Sequence, residues 1–237
     1  MATKNSISVF FPAYNEESNI KRTISLAIKE LESLDTDYEV IIVDDGSVDK
    51  TGLIADALAA KNKRIKVIHH SPNRGYGGAL IAGFYSSKKD LIIFTDGDGQ
   101  FDFGEVVKFI QLIINNDLVI GYRANRAEGL PRVLLAQALR FWDLIFFGIW
   151  FKDIDCAFKM IKRSSLAKLP RLKTNTAMIS TELLVKAKRA GLKISEVPVS
   201  HFPDQGDKNR RERGAHPKII LRAVKGTVDL WLSLRSN

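Results

Sequence analysis

The stretch LIIFTDGDGQ, residues 91–100, decides the fold class of this 237-residue chain. Its first half, Leu91–Thr95, is a run of large and β-branched apolar side chains that predicts a buried strand. Its second half places two carboxylates, Asp96 and Asp98, one residue apart directly after that strand. Because ligands of open α/β sheets bind beyond the carboxyl ends of the strands, the stretch predicts such a sheet with a site at its edge.

The same pattern recurs on both sides of this stretch. Four further runs predict strands: Ile7–Phe11, Tyr38–Val43, Ile65–His69 and Leu118–Gly121. Segments with helical spacing of apolar residues lie between them, so the alternation predicts a parallel sheet with helices on both faces. Polar clusters follow these strands as well: Asn15-Glu16, Asp44-Asp45-Gly46-Ser47 and Asn73-Arg74-Gly75. We expect them to meet Asp96 and Asp98 in one crevice.

The second half of the chain is less regular. Its predicted elements are an aromatic-rich helix at 134–150, a short strand at 157–161, a helix at 180–190, a strand at 194–200 and an amphipathic helix at 218–234. Neither an internal repeat nor a low-complexity linker separates the halves. We therefore predict one domain over residues 1–237, with a functional division at 121/122.

Charge is distributed unevenly between these halves. The net charge of +9 is made of −4 over residues 1–120 and +13 over residues 121–237. This asymmetry indicates a half that handles a metal or nucleotide and a half that faces an anionic surface or substrate. The single cysteine, Cys156, excludes an intramolecular disulfide framework and suits a reducing compartment. No apolar run approaches the roughly 18 residues of a membrane span, and we expect no signal peptide.

The strand-end carboxylates suggest specific chemistry. Asp96 and Asp98 could share a divalent cation, with Gln100 as a further oxygen ligand, although loop carboxylates of this kind also occur as solvated groups. One carboxylate of Asp44-Asp45 could accept a hydrogen bond from a nucleobase or a ribose, while Ser47 or Asp49 could cap the following helix. Glycine-rich dinucleotide and P-loop motifs are absent from the sequence, so phosphates would need a metal and basic side chains. His69 and His70 lack metal-like spacing and are interpreted as structural.

Taken in order, four motifs resemble glycosyltransferase family 2: Pro12–Glu16, Val43–Ser47 with Asp49 and Thr51, Asn73–Gly75, and Asp96–Gln100. The resemblance implies a GT-A fold, a Rossmann-like and mostly parallel α/β sheet flanked by helices, with a C-terminal acceptor-side extension. It also implies a nucleotide-diphospho-sugar donor, linked to UDP or GDP, and Mg²⁺ or Mn²⁺. The donor-binding residues it implies are Pro12, Ala13, Tyr14, Glu16, Asp45, Arg74, Asp96 and Asp98. The metal ligands it implies are Asp96, Asp98 and Gln100.

The acceptor-side half, residues 122–237, is similar to the dolichol-phosphate mannose synthase-like polyprenyl-phosphate glycosyltransferases. The similarity is carried by Asp153–Lys159, Glu182, Glu196–Val199 and the basic loop His201–Arg213, with Ala157 where that group commonly has glycine. It implies an inverting, metal-dependent hexosyltransferase acting on a dolichyl or undecaprenyl phosphate. The catalytic residues it implies are Asp98, Asp153 and Asp155. The residues it implies for the diphosphate or the acceptor phosphate are Lys208, Arg210, Arg211 and Arg213.

Several alternatives follow from the same residues. A hydroxyl acceptor on a soluble or cell-surface glycan would make Asp153 or Asp155 the general base, whereas both could also cap a turn. A non-enzymatic nucleic-acid-binding protein is suggested by the pI of about 9.6 but disfavoured by the acidic first half. The amphipathic helix and the aromatic segment predict contact with an anionic membrane, hence a cytoplasmic protein peripheral to it, although such a stripe also suits a core or a homo-oligomer contact.

Overall fold

The computed structural model describes residues 5–124, 141–142, 144–203 and 217–235, with side chains of the last segment from residue 225 onward. The strands are β1 (Ile7–Ala13), β2 (Tyr38–Asp44), β3 (Ile65–His69), β4 (Leu91–Phe94), β5 (Leu118–Arg123), β6 (Lys159–Lys162) and β7 (Ile194–Val199). The helices are α1 (Ile20–Ser33), α2 (Thr51–Lys61), α3 (Gly75–Ser86), α4 (Val106–Ile113), α5 (Arg163–Leu166), α6 (Ile179–Arg189) and α7 (Pro217–Arg235), with a 3₁₀ turn at Phe103–Glu105.

All seven strands form one sheet in the order β3-β2-β1-β4-β6-β5-β7. The pairs β3/β2, β2/β1, β1/β4 and β5/β7 are parallel, as the alternation of elements predicts. Strand β6 is antiparallel to both β4 and β5. The α/β sheet is therefore mostly parallel, with one reversed strand inserted where the first half of the chain meets the second.

Two apolar layers cover the sheet. Successive side chains of a strand point to opposite faces, so in β1 Val9 and Phe11 pack with α1 and α4, while Phe10 packs with α3 and α6. Every residue of β1 and β2 is buried, which explains why these strands are nearly continuous apolar runs. The C-terminal helix α7 joins the second layer through Leu230 and Leu234.

Backbone hydrogen bonds continue past the strand ends and hold the following loops together. The amide of Asp45 donates to the carbonyl of Ala13 at 2.9 Å, and the amide of Gly97 donates to that of Pro12 at 3.2 Å. Because β2, β1 and β4 are neighbours, the polar segments after them lie side by side at one edge of the sheet. This edge is where the sequence predicts the site.

The region predicted as an aromatic helix at 134–150 is described only in part. Residues 141–142 and 144–147 are helical, and the chain leaves the helix at Gly148, whose φ is +65°. The predicted end at Trp150 is therefore wrong by three residues. A positive φ is a conformation that glycine adopts without steric cost, which explains the earlier stop.

Gly83 of α3 sets how closely that helix approaches the sheet. A Cβ at this position would lie 2.2 Å from the Phe10 ring, which packs edge-on against Phe84 at 5.0 Å between centroids. We expect Gly83→Ala to lower the free energy of unfolding by about 1–3 kcal/mol, because a close-packed core resists an added carbon. Urea denaturation followed by circular dichroism measures this change.

Gly226→Ala in α7 is the matched control for this substitution. Its Cβ would meet the flexible Met178 side chain at 3.1 Å, and alanine favours the helix by about 1 kcal/mol over glycine. We expect little loss of stability there. Equal losses in the two variants would contradict the packing argument.

Candidate active site

A cavity of about 500 Å³ opens at the carboxyl edge of the sheet, where the loops after β1, β2 and β4 meet. Its lining residues are Pro12, Ala13, Tyr14, Glu16, Asp45, Asn73, Gly75, Tyr76, Ala79, Asp96, Gly97 and Asp98. Seven of the eight residues predicted to bind the donor are in this set. The eighth, Arg74, lies between two lining residues, and its backbone amide donates to Asp45 Oδ1 at 2.9 Å.

The loop after β1 is fastened to the loop after β2. The amide of Asn15 donates to Ser47 Oγ at 3.0 Å, and the amide of Val48 donates to Asn15 Oδ1 at 2.9 Å. Glu16 is buried, and its amide donates to Thr51 Oγ1 at 2.7 Å. These reciprocal bonds hold the walls of the cavity at a fixed separation, with the ring of Tyr14 partly exposed at its mouth.

Asp45 is held from several directions. Its side chain is almost fully buried, and Oδ1 accepts both the Arg74 amide and Nδ1 of His70, the latter at 2.6 Å. Its carbonyl accepts Asn73 Nδ2 at 2.6 Å. Ahead of α2, Asp49 Oδ1 accepts the amide of Thr51, the first residue of that helix, at 2.9 Å, whereas the N-cap residue, Lys50, makes no side-chain capping bond.

Asp96 lies at the floor of the cavity, surrounded by protein on its other sides. Its Oδ1 accepts a hydrogen bond from the hydroxyl of Tyr76 at 3.1 Å. Burial raises the pKa of Asp96 to about 6, and the positive charges of Lys159 and Arg123 counteract only part of that effect. Burial next to Asp96 likewise raises the pKa of the Tyr76 hydroxyl well above its ordinary value.

Asp98 reaches the same cavity from the following turn. Its Oδ1 accepts the amide of Gln100 at 3.0 Å. The Gln100 side chain donates Nε2 to the carbonyl of Phe202 at 3.0 Å, and the amide of Phe202 donates back to the Gln100 carbonyl at 2.8 Å. The structure thus uses the amide nitrogen of Gln100 as a tether to the chain after β7, and a ligand role for its oxygen stays a prediction.

The two carboxylates fit a divalent cation that is shared with a ligand. Within the described ranges, no group of three or more His, Cys, Asp and Glu side chains forms a metal site. Mg²⁺ and Mn²⁺ need no such cluster, since they commonly take one or two carboxylates and complete their sphere with phosphate oxygens and water. Desolvation is the main cause of the raised pKa of Asp96, and a bound cation would favour the charged form of this carboxylate.

On the acceptor side, the two predicted aspartates have different surroundings. Asp153 is buried in a two-pronged ion pair with Arg123, with Nε–Oδ2 at 2.7 Å and Nη2–Oδ1 at 3.0 Å. Asp155 is exposed. Lys159 is fully buried beside them, with its Nζ donating to the carbonyl of Cys156. Burial raises the pKa of the Cys156 thiol to about 11, so this cysteine is a packed residue.

Three residues of this region escape the sequence-based prediction. Tyr76 lies inside α3, directly after the polar segment Asn73–Gly75 that the sequence pattern places at the site. Arg123 ends β5 and would have been found by the strand-end reasoning applied to the other strands. Lys159 was detectable as a lone charge within an apolar predicted strand. The predicted basic residues Lys208, Arg210, Arg211 and Arg213 lie outside the described residues.

The C-terminal half carries a group of exposed apolar side chains that we call the aromatic face. It consists of Phe141, Leu144, Ile145, Trp150, Val228 and Leu232. The helical residues 144–147 touch α7 through Phe146 and Trp231, whose rings meet edge-on at 6.1 Å. None of the described helices is long and apolar enough to cross a membrane.

Comparison with solved structures supports the fold. A glucosyl-3-phosphoglycerate synthase from Mycobacterium tuberculosis, crystallised with Mn²⁺, UDP and glucosyl-3-phosphoglycerate, superposes with a TM-score of 0.66. The match covers 94% of this chain and 80% of that one at 23% identity. The architecture is accordingly the predicted GT-A fold.

Sequence comparison adds relatives of higher identity. The glycosyltransferase AglD of Haloferax volcanii is 33% identical over 210 residues, which are 85% of this chain and 34% of that protein. The dolichyl-phosphate beta-glucosyltransferase of Saccharomyces cerevisiae is 32% identical over 228 residues, covering 85% of this chain and 68% of the yeast protein. The model of glycosyl transferase family 2 matches residues 8–169. That match takes in nearly all of β1, strands β2 to β6, the three loops and the carboxylates of the cavity, and the chain belongs to glycosyltransferase family 2.

Proposed function

We propose that this protein transfers a hexose, most simply glucose, from a nucleotide-diphospho-sugar to a polyprenyl phosphate. The observation that carries the proposal is that Asp45, which follows β2, meets Asp96 and Asp98, which follow β4, in one cavity. The acceptor and the sugar are proposed from the yeast relative, named as a dolichyl-phosphate beta-glucosyltransferase. The sugar therefore differs from the mannose suggested by the acceptor-side motif.

The donor is proposed to be UDP-glucose, lying across the cavity. The base contacts Asp45 between the loops after β1 and β2, and the diphosphate lies near Asp96 and Asp98. These two carboxylates would hold Mg²⁺ or Mn²⁺, which when bound neutralises charge on the leaving diphosphate. The solved neighbour that binds UDP with Mn²⁺ supports this donor class.

The chemistry we propose is a single in-line displacement. An oxygen of the acceptor phosphate forms a bond to the anomeric carbon while the bond from that carbon to the diphosphate breaks, so the anomeric configuration inverts. The electron pair leaves with the nucleoside diphosphate. Since a phosphate oxygen is already anionic at neutral pH, no side chain has to remove a proton.

Under this mechanism Asp153 and Asp155 have different functions. Asp153 fixes the guanidinium of Arg123 at the carboxyl end of β5, from where its positive charge acts on the carboxylate of Asp96. Asp155 adds negative charge near Tyr76 and Lys159 and contributes to positioning. Lys208, Arg210, Arg211 and Arg213 are proposed to bind the diphosphate or the acceptor phosphate, because the chain enters their loop beside Gln100 and Asp98.

We also propose that the aromatic face contacts a membrane that holds the polyprenyl chain. The free energy falls when exposed aromatic and aliphatic side chains enter the interfacial layer of a membrane. Basic side chains close to them attract anionic lipid. The protein would then act as a peripheral protein at the cytoplasmic face.

The first test concerns Asp98. We expect the full chain with Mn²⁺ to form glucosyl polyprenyl phosphate from UDP-glucose, detected by mass spectrometry. Asp98→Asn should lower kcat/KM by about 10²- to 10³-fold, because it removes charge that supports the leaving diphosphate. Asp102→Asn, four residues along and outside the cavity, is the control and should retain activity. Full activity in Asp98→Asn would refute the role of this carboxylate.

A second test separates the two acceptor-side aspartates. We expect Asp153→Asn to lower the free energy of unfolding by about 3 kcal/mol, because it leaves the buried Arg123 guanidinium without its counter-charge. Asp155→Asn should preserve kcat within a few-fold. Chemical denaturation and steady-state kinetics measure the two effects. A loss of about 10²-fold or more in kcat for Asp155→Asn would identify a general base and favour a hydroxyl acceptor.

The third test addresses the membrane. The double variant Ile145→Glu/Leu232→Glu should bind vesicles containing phosphatidylglycerol more than about ten-fold more weakly than the unaltered protein, since each change opposes burial of a large apolar side chain. Flotation in a density gradient measures the bound fraction. Leu53→Glu, on exposed α2 in the other half of the chain, is the control. Equal flotation of all three proteins would exclude the aromatic face as the contact.

A further inference from the structure

His69 ends β3 and His70 follows it, and each is hydrogen-bonded to one of two consecutive aspartates, Asp44 at the end of β2 and Asp45 directly after it. Register explains the arrangement, because β2 and β3 are parallel with Asp44 opposite His69. The amide of His70 then donates to the carbonyl of Asp44 at 2.9 Å. This places the imidazole of His70 beside the carboxylate of Asp45.

The His70–Asp45 pair is shielded from solvent. The two side chains are only 2% and 5% exposed, and Nδ1 lies 2.6 Å from Oδ1. A carboxylate accepts hydrogen bonds, so Nδ1 carries the proton in this contact. The backbone amide of Arg74 donates to the same oxygen at 2.9 Å.

Both of these donors converge on Oδ1, which leaves Oδ2 as the second acceptor of a carboxylate that lines the cavity. Among the described residues, no hydrogen bond of Asp45 to Oδ2 is present. The carboxylate is thus held in one orientation by two donors to Oδ1, and Oδ2 is the oxygen available to a ligand in the cavity that Asp45 lines. A buried polar group held in this way cannot rotate to suit a different ligand without losing its own bonds.

We propose that His70 is a positioning residue that makes the donor site selective for a nucleobase with a ring N–H on its pairing edge. This inference rests on the proposed function, since it assumes that the cavity binds a nucleoside diphosphate sugar with its base at Asp45. His70 acts through Asp45 and does not itself line the cavity.

Comparison of the two pyrimidines shows the basis of this selectivity. Uracil presents N3–H between two carbonyl groups, and that donor matches a fixed carboxylate oxygen. Cytosine has the same size and shape, but its N3 is an acceptor and would face the carboxylate with like polarity. To use its amino group instead, cytosine would have to shift within the cavity. A site built to accept a particular N–H rejects the analogue that lacks it, because its buried polar group is left unpaired.

His69 provides a natural control within the same turn. Its Nδ1 lies 2.9 Å from Asp44 Oδ2, and its Nε2 lies 3.0 Å from Asp56 Oδ1. The hydrogen bonds that its ring donates to these two carboxylates raise the pKa of His69. Neither His69 nor either of its partners lines the cavity. Replacing His69 removes an imidazole–carboxylate contact one residue away from His70 and leaves the hydrogen bonds that orient Asp45 intact.

The experiment measures Kd for UDP and for CDP by titration calorimetry with Mn²⁺, using the full chain. We expect the unaltered protein to bind UDP at least about ten-fold more tightly than CDP, as the loss of one hydrogen bond to a charged group implies. His70→Leu should raise the Kd for UDP by about ten-fold and leave the Kd for CDP within about two-fold of its original value. The preference for UDP over CDP therefore falls. His70→Asn, whose amide can still donate to Asp45, should retain part of the preference for UDP over CDP. His69→Leu should retain the whole preference.

Kinetics provide a second readout that general loss of structure would not reproduce. In His70→Leu the KM for the UDP-sugar should rise while kcat stays within about two-fold, because the reacting groups lie at the other end of the donor. If His70→Leu does not fold, the role of His70 is tested by comparing the preference for UDP over CDP in the unaltered protein and in His70→Asn.

The outcomes distinguish this inference from the function on which it rests. UDP binding that is no tighter than CDP binding, or an unchanged ratio in folded His70→Leu, would overturn the role of His70 and leave the glycosyl transfer standing. Failure of the unaltered protein to bind any nucleoside diphosphate would overturn the proposed function and this inference with it.

Discussion

The parallel pairing of β2, β1 and β4 is the constraint on which the rest of the structure depends. Parallel neighbours end at the same edge, so whatever side chains follow them are brought together regardless of their distance in sequence. Here the pairing continues one residue beyond β2 and three beyond β4, through the bonds of Asp45 to Ala13 and of Gly97 to Pro12. The hydrogen bonds of the sheet consequently fix the positions of the loops that line the cavity.

Bringing carboxylates together has an electrostatic cost, and the second half of the chain supplies the compensation. Asp96 is flanked by Tyr76 on one side and lies within the fields of Lys159 and Arg123 on the other. Burial lowers the pKa of Lys159, while neighbouring carboxylates favour its charged form. The acidic first half and the basic second half therefore meet at this edge. The charge asymmetry of the sequence is an asymmetry across one site.

The sequence predicts those parts of the structure that depend on local pattern and parallel topology. Strand-end reasoning locates Asp45, Asp96 and Asp98 correctly within one cavity. A short strand is predicted at 157–161 and β6 is found at Lys159–Lys162, but its antiparallel place between β4 and β5 is not predicted, because both partners lie far away in the chain. The bidentate bond of Arg123 to Asp153 and the hydrogen bond of His70 to Asp45 also join residues that are far apart in the sequence. No spacing within a single motif encodes them.

The reversed strand β6 has a consequence for how the chain acquires its fold. Strand β5 precedes both of its partners, β6 and β7, so after synthesis of residues 1–124 it has neither neighbour with which to pair. At that stage β4 presents an open edge of four buried apolar residues. Only when residues 159–162 arrive is that edge closed, and the final geometry around Asp96 is completed late. Contacts of such long sequence separation slow folding, and an exposed apolar edge invites pairing with other chains, so the first half depends on the second to cover the open edge of β4.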